Sequence, residues 1–278
     1  SLNTLDDNTT GVINASTVTT LTGDYTALNT TYTSSGFTGL ENKAISITNT
    51  SIDASKLNWL VISTTGVINA STVVTLTGAA SDINVALSSE GISNLGNESI
   101  TISDTSINAS LLNTLDDNTT GVINASTVAT LTGDYSALNT AYTSSGLSGL
   151  ENKTISITNI SIDASKLNWL NISTTGVINA STVATLTGAA SDINVALSSE
   201  GISNLGNQSI TISDTSINVS SLNTLDEKTT GVINASSVAI LTGTASDISV
   251  ALSSEGISNL GNKSITISDT SINASSLN

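Results

Sequence analysis

The thirteen residues Gly11–Gly23 read GVINASTVTTLTG, and Gly66–Gly78 read GVINASTVVTLTG; near copies begin at Gly121, Gly176 and Gly231. The starts lie 55 residues apart, so a fixed period governs the chain before any local feature is weighed. The repeats are 9–63, 64–118, 119–173, 174–228 and 229–278, read as one continuous array over 1–278. They come in two types. The first and third carry DYTALNTTYTSSGFTGLENK or the near copy DYSALNTAYTSSGLSGLENK. The second, fourth and fifth carry SDINVALSSEGISNLGN or a close variant.

A shorter echo lies inside each repeat. The tetrapeptide Ile-(Asn/Asp)-(Ala/Val)-Ser starts at Ile13, Ile52, Ile68, Ile107, Ile123, Ile162, Ile178, Ile217, Ile233 and Ile272. Isoleucine and the small third residue share one face of a short strand, and the polar residues share the other. The small residue suits a narrow core beneath the next rung. Val18 and Leu21, like Leu57 and Leu60, are three apart, which predicts a helical or 3₁₀ turn after each Ser. Ser16 and Ser55 are then its N-caps, and Gly23 closes it. SDINVALSSEG predicts a longer helix, capped by Ser81, with Asp82 in its first turn and Gly91 as its stop. ESITISDTS alternates as a strand, with Ile100 and Ile102 inward and Asp104-Thr105 turning the chain.

Such a repeat cannot bury its apolar face alone, but stacked copies bury a continuous one. The expected fold is a β-solenoid of stacked parallel rungs with short helical corners, three rungs to each 55-residue repeat. An α/β solenoid resembling leucine-rich repeats is the alternative.

Composition excludes much chemistry. The chain has no Cys, His, Met, Pro or Arg, and six Lys against 22 acidic residues give a net charge of -16. Without His and Cys there is no common zinc site and no Ser-His-Asp or Cys-His relay. The charge opposes nucleic-acid binding and anionic membrane surfaces. No apolar run approaches the length of a spanning helix, so no membrane insertion is expected.

The stretch SDTSINASLLNTLDDNTTGVINASTVATLTG, Ser103–Gly133, resembles repeat regions of very large secreted bacterial surface proteins, including giant exoproteins and adhesins of aquatic bacteria. The resemblance covers essentially the whole chain. It implies an extracellular or cell-surface location and a stalk or matrix role, and it supplies no catalytic residues.

Candidate sites are few. DDNTTG, Asp6–Gly11, resembles the front of a calcium loop, with Asp6, Asn8 and Thr10 as alternate ligands, but Thr17 stands where a bidentate Glu is needed. An ordinary acidic turn is the plain reading and structural calcium the alternative; no other cofactor and no metal-binding residue is assigned. Eighteen Asn-X-Ser/Thr sequons, among them Asn14, Asn69, Asn97, Asn108 and Asn124, arise readily in so Asn-, Ser- and Thr-rich a chain. Trp59 and Trp169 are read as packing residues rather than sugar platforms. Lys43, Glu98, Lys153, Gln208 and Lys263 share one repeat position, and Asp53 with Lys56, like Asp163 with Lys166, predicts an exposed local pair. Acids recur with the repeat, so no catalytic residue is assigned and no enzyme activity is expected.

The functional expectation is a structural extracellular repeat protein, forming a rod, stalk or filament. The alternative is a binding module whose solenoid face grips glycan, ice or mineral. SLN at both 1–3 and 276–278, with no visible capping repeat, predicts that the partner is the chain itself, head to tail, or flanking repeats of a longer chain.

Overall fold

The structure, a computed structural model, describes residues 1–272. It forms two compact units, Ser1–Ala129 with Thr140–Leu150, and Thr130–Asn139 with Glu151–Asn278. Expectations that fall on Asn273, Ala274, Ser276 and the closing SLN lie outside the described residues.

In the first unit, repeat 64–118 contains two coils. One has strands Ile68–Asn69 and Thr75–Gly78, then helix Ala80–Leu87. The other has strands Ile92–Ser93, Ser99–Ile102 and Ser106–Asn108, then helix Ala109–Asn118. Every strand pairs in parallel with one 23 or 24 residues away: Leu76 faces Ile52 and Ile100, and Ile100 faces Ile123. Two advances of 24 leave seven residues of the 55, and those seven supply the extra strand of the second coil.

That remainder makes the ladders overlap. In the first unit one ladder runs Thr20–Gly23, Ala44–Ile47, Ile68–Asn69, Ile92–Ser93 and ends there. A second has already opened at Ser51–Asp53 and continues through Thr75–Gly78, Ser99–Ile102, Ile123–Asn124 and Leu147–Ser148. The second unit repeats the device. A ladder from Ser161–Asp163 to Ile257–Ser258 overlaps one made of Ser216–Asn218, Ile240–Gly243 and Ser264–Ile267.

These repeated parallel strand–helix units in stacked parallel sheets make an α/β solenoid-like fold. The parallel stacking expected from sequence is present. The three rungs expected per repeat are corrected to two helix-bearing coils, because the helices reach eight to ten residues and lengthen each coil.

The core lies between strands and helices. Ile100, Ile102, Leu112 and Leu115 are buried, as are Ile45, Ile47, Leu57 and Leu60 and, in the second unit, Ile210, Ile212, Leu222 and Leu225. The small third residue of the tetrapeptide is buried wherever it is described: Ala15, Ala54, Ala70, Ala109, Ala125, Ala164, Ala180, Val219 and Ala235.

Ala54–Ser63 is a helix, but its cap is Asp53, whose Oδ1 accepts from the Ser55 N–H. The turn expected over Val18 and Leu21 is short, closing with the Val18 N–H on Ala15 O at 3.0 Å, and Leu21 lies instead in strand Thr20–Gly23, because a run of β-branched residues prefers the extended backbone. Ser81 is no cap. Helix Ala80–Leu87 begins one residue earlier, and its Ala80 N–H donates to Asp104 Oδ2 at 2.7 Å, from the following coil.

Candidate functional site

The acidic turn before three of the five thirteen-residue stretches, at Asp6, Asp116 and Asp226, is a staple between coils; Val61 and Asn171 stand in its place before the other two. Asp6 lies in the last turn of helix Leu2–Asp7, and its Oδ2 accepts from the Ser34 hydroxyl at 2.6 Å; Asp226 and Ser254 repeat the bond at 2.6 Å. The Asp6 carboxylate lies where a Cβ on Gly36 would sit, so Gly36 keeps the approach open. Asn8 turns back and donates its Nδ2 to Thr4 O at 2.6 Å. These contacts do not draw Asp6, Asn8 and Thr10 around a common point. No cluster of three acidic, His or Cys ligands occurs among the described residues.

The shared position of Lys43, Glu98, Lys153 and Gln208 is buried, and Lys263 is half-buried. Lys43 Nζ donates to Ser16 O at 3.0 Å, and Lys263 Nζ to Ser236 O at 3.1 Å. Glu98 folds back, its Oε2 accepting from Gly96 N–H at 2.7 Å and Asn97 N–H at 3.1 Å. The position therefore ties a turn to its surroundings with either sign of charge.

The pairing expected between Asp53 and Lys56 is not what the structure contains. Asp53 Oδ1 takes the Ser55 N–H and hydroxyl, at 2.9 and 2.5 Å, while Lys56 Nζ sits 5.3 Å over the centre of the Tyr25 ring. Trp59 meets Tyr25 edge-on at 5.9 Å and Tyr32 at 6.5 Å. Burial pushes the Tyr32 hydroxyl above its ordinary pKa. Both tryptophans are half-buried, in keeping with packing.

Around Tyr25 and Lys56 lies an open cavity of about 390 Å³, built from three successive coils. Tyr25 opens helix Tyr25–Thr33, Asn49 and strand Ser51–Asp53 come from the next coil, and Thr77 lies in strand Thr75–Gly78, in register with Asp53. The second unit contains the same cavity, about 370 Å³, from Tyr135, Asn159, Ser161, Asp163, Lys166 and Thr187. There Lys166 Nζ lies 5.1 Å over Tyr135, and Trp169 meets Tyr135 edge-on at 6.1 Å. Asn49 Oδ1 accepts from the Tyr25 N–H at 2.8 Å, and Asn159 Oδ1 from the Tyr135 N–H at 2.7 Å. Gly78, at φ 131°, lets the Asp53 carboxylate lie against its backbone.

Sequence reading singled out Asp53, Lys56 and Trp59 but missed Tyr25, Asn49 and the cavity they share. The signal was available. Tyr25, Asp53, Lys56 and Trp59 become Ala80, Asn108, Leu111 and Thr114 in the other repeat type, so four chemically linked residues change together.

Comparisons with protein-family models, with curated proteins and with solved structures return no match. What the fold defines is a class: a repeat protein of parallel strand–helix coils. No helix among the described residues is long and apolar enough to cross a membrane.

Proposed function

We propose that this chain is a structural repeat protein, a rod, stalk or filament segment of a cell surface or extracellular matrix. One observation carries the reading: what holds one coil to the next is copied along the chain. The Asp–Ser staple, the Asn or Asp cap from the following coil and the parallel ladders recur in both units. Stability in such arrays is a sum over coils and their nearest neighbours, so copies can be added without redesign. The surface location is supported by the resemblance of the repeats to those of secreted surface proteins.

Self-association fits this reading. In the second unit, strand Ser264–Ile267 pairs only with Ile240–Gly243 among the described residues. Its Ile265 and Ile267 are 46% and 38% exposed, whereas Ile210 and Ile212, one repeat earlier, are buried. A strand edge with apolar side chains invites another parallel strand. A second copy of the chain, head to tail, is the partner this reading proposes for that edge. Light scattering and electron microscopy of the chain should show end-to-end oligomers that disperse in Ile265→Lys/Ile267→Lys. A folded chain that stays monomeric at every concentration would contradict the filament form of this proposal.

A further inference from the structure

The two cavities around Tyr25 and Tyr135 are lined by residues that the scaffold does not require. Coils of the other type stack equally well with Ala80, Asn108, Leu111 and Thr114 in their place. We propose that each cavity binds one neutral sugar residue of a glycan, giving two sites per chain.

The argument rests on what the lining groups leave unused. In the first cavity Asp53 Oδ1 is committed to Ser55, but Oδ2 makes no hydrogen bond to a described residue. Asn49 spends its Oδ1 on the Tyr25 N–H, leaving the Nδ2 donor over. Lys56 leans on the Tyr25 ring and keeps its ammonium hydrogens for solvent or ligand, and the Ser51 hydroxyl is uncommitted. The cavity therefore offers one strong acceptor beside several donors. A hydroxyl both donates and accepts, so adjacent hydroxyls on a pyranose ring match a carboxylate flanked by an ammonium and an amide.

Charge narrows the class further. Anions are disfavoured because the helix N-termini that would attract them are already closed: the Tyr25 N–H by Asn49, and the Ala27 N–H by Asp24 at 2.8 Å. The net charge of -16 adds a long-range repulsion. Cations are disfavoured by Lys56 itself. An uncharged, hydroxyl-rich ligand remains, and both cavities fall within the volume range of small-molecule sites.

The chain has two tryptophans, each packed on the tyrosine of one cavity, so each indole N–H signal reports on one site. D-Glucose, D-galactose, D-mannose and N-acetyl-D-glucosamine should be titrated separately into the ¹⁵N-labelled intact chain. At least one is expected to shift both indole signals saturably and with matching affinity. Asp53→Asn should weaken the response of the Trp59 signal about tenfold or more while leaving that of Trp169 unchanged. This variant keeps its helix cap, since Asn108 performs the same task, accepting from the Ser110 N–H at 2.8 Å. Lys56→Leu, which installs the residue found at Leu111, should act alike. No saturable shift with any of the four sugars overturns the proposal, as does a Trp59 response that survives both substitutions.

Discussion

Thr31 donates its hydroxyl to Asn3 Oδ1 at 2.7 Å, joining two successive helices, while Asn3 Nδ2 donates to Ala27 O at 2.9 Å. Later coils keep the asparagine and its donor bond, Asn58 to Asp82 O and Asn168 to Asp192 O, but Ala86 and Ala196 stand where Thr31 does. The Oδ1 atoms of Asn58 and Asn168 are consequently buried without a hydrogen bond. Ala196→Thr should supply the missing donor. Ala196→Val adds the same bulk without the hydroxyl. The threonine variant is expected to be more stable than the valine variant by about 1 kcal/mol, read from urea midpoints. Equal midpoints would show that the orphaned oxygens carry no cost.

Glu98 and Gln208 occupy one repeat position and accept the same two backbone N–H groups, from Gly96 and Asn97 or from Gly206 and Asn207. Gln208 adds a third bond, its Nε2 donating to Asn204 O at 2.9 Å. Glu98 Oε1, in the matching place, is buried without a partner. Glu98→Gln should therefore stabilise the first unit by about 1–3 kcal/mol, the range for relieving an unsatisfied buried polar atom. An unchanged or lowered denaturation midpoint would contradict this.

The period, the parallel stacking and the inward faces were legible because they depend on spacing, which a sequence records directly. The two uses of one tetrapeptide were not. Ile13-Asn14-Ala15-Ser16 and Ile52-Asp53-Ala54-Ser55 both direct the Ser N–H to the preceding Asn or Asp oxygen, at 2.9 Å in each case. After the first, Thr17-Val18-Thr19-Thr20 carries the chain through a turn into a strand. After the second, Lys56-Leu57-Asn58-Trp59-Leu60 continues as helix. The difference is β-branching against straight or γ-branched side chains, a propensity that a shared motif hides. The helix caps were missed for another reason. Asp104 and Asn49 lie 24 residues beyond the N–H groups they accept from, and only the coil length brings them together.

Ala125 tests the narrow core. It is fully buried, its N–H donates to Ser148 O at 2.9 Å, and its own carbonyl accepts from the Val128 N–H. A larger side chain must push the neighbouring coil away or break that bond. Ala125→Leu is expected to cost about 1–3 kcal/mol, measured as a fall in denaturation midpoint. Tolerance without loss would mean that the face assigned inward has room to spare.

The glycine that opens four of the five thirteen-residue stretches has its own reason, and Gly176 shows it. A Cβ built there would lie 2.2 Å from Lys153 O and 2.4 Å from the carbonyl carbon, both backbone atoms that cannot swing aside. Gly66, Gly121 and Gly231 meet the carbonyls of Lys43, Glu98 and Gln208 as closely. The approach is held by the preceding threonine: Thr174 Oγ1 donates to Lys153 O at 2.7 Å and accepts the Gly176 N–H at 3.0 Å. Coil, threonine and glycine thus form one closed contact. Gly176→Ala should destabilise the second unit by at least about 2–3 kcal/mol, since overpacking against backbone forces a coil to move. Thr174→Val preserves the shape but orphans the Gly176 N–H, and should cost a smaller amount, about 1–2 kcal/mol. Gly11→Ala is the control. A Cβ there meets only Thr9 Oγ1, at 3.4 Å, so that variant should melt with the parent chain. Should Gly176→Ala and Gly11→Ala prove equally mild, close backbone contact would not be why the motif begins with glycine.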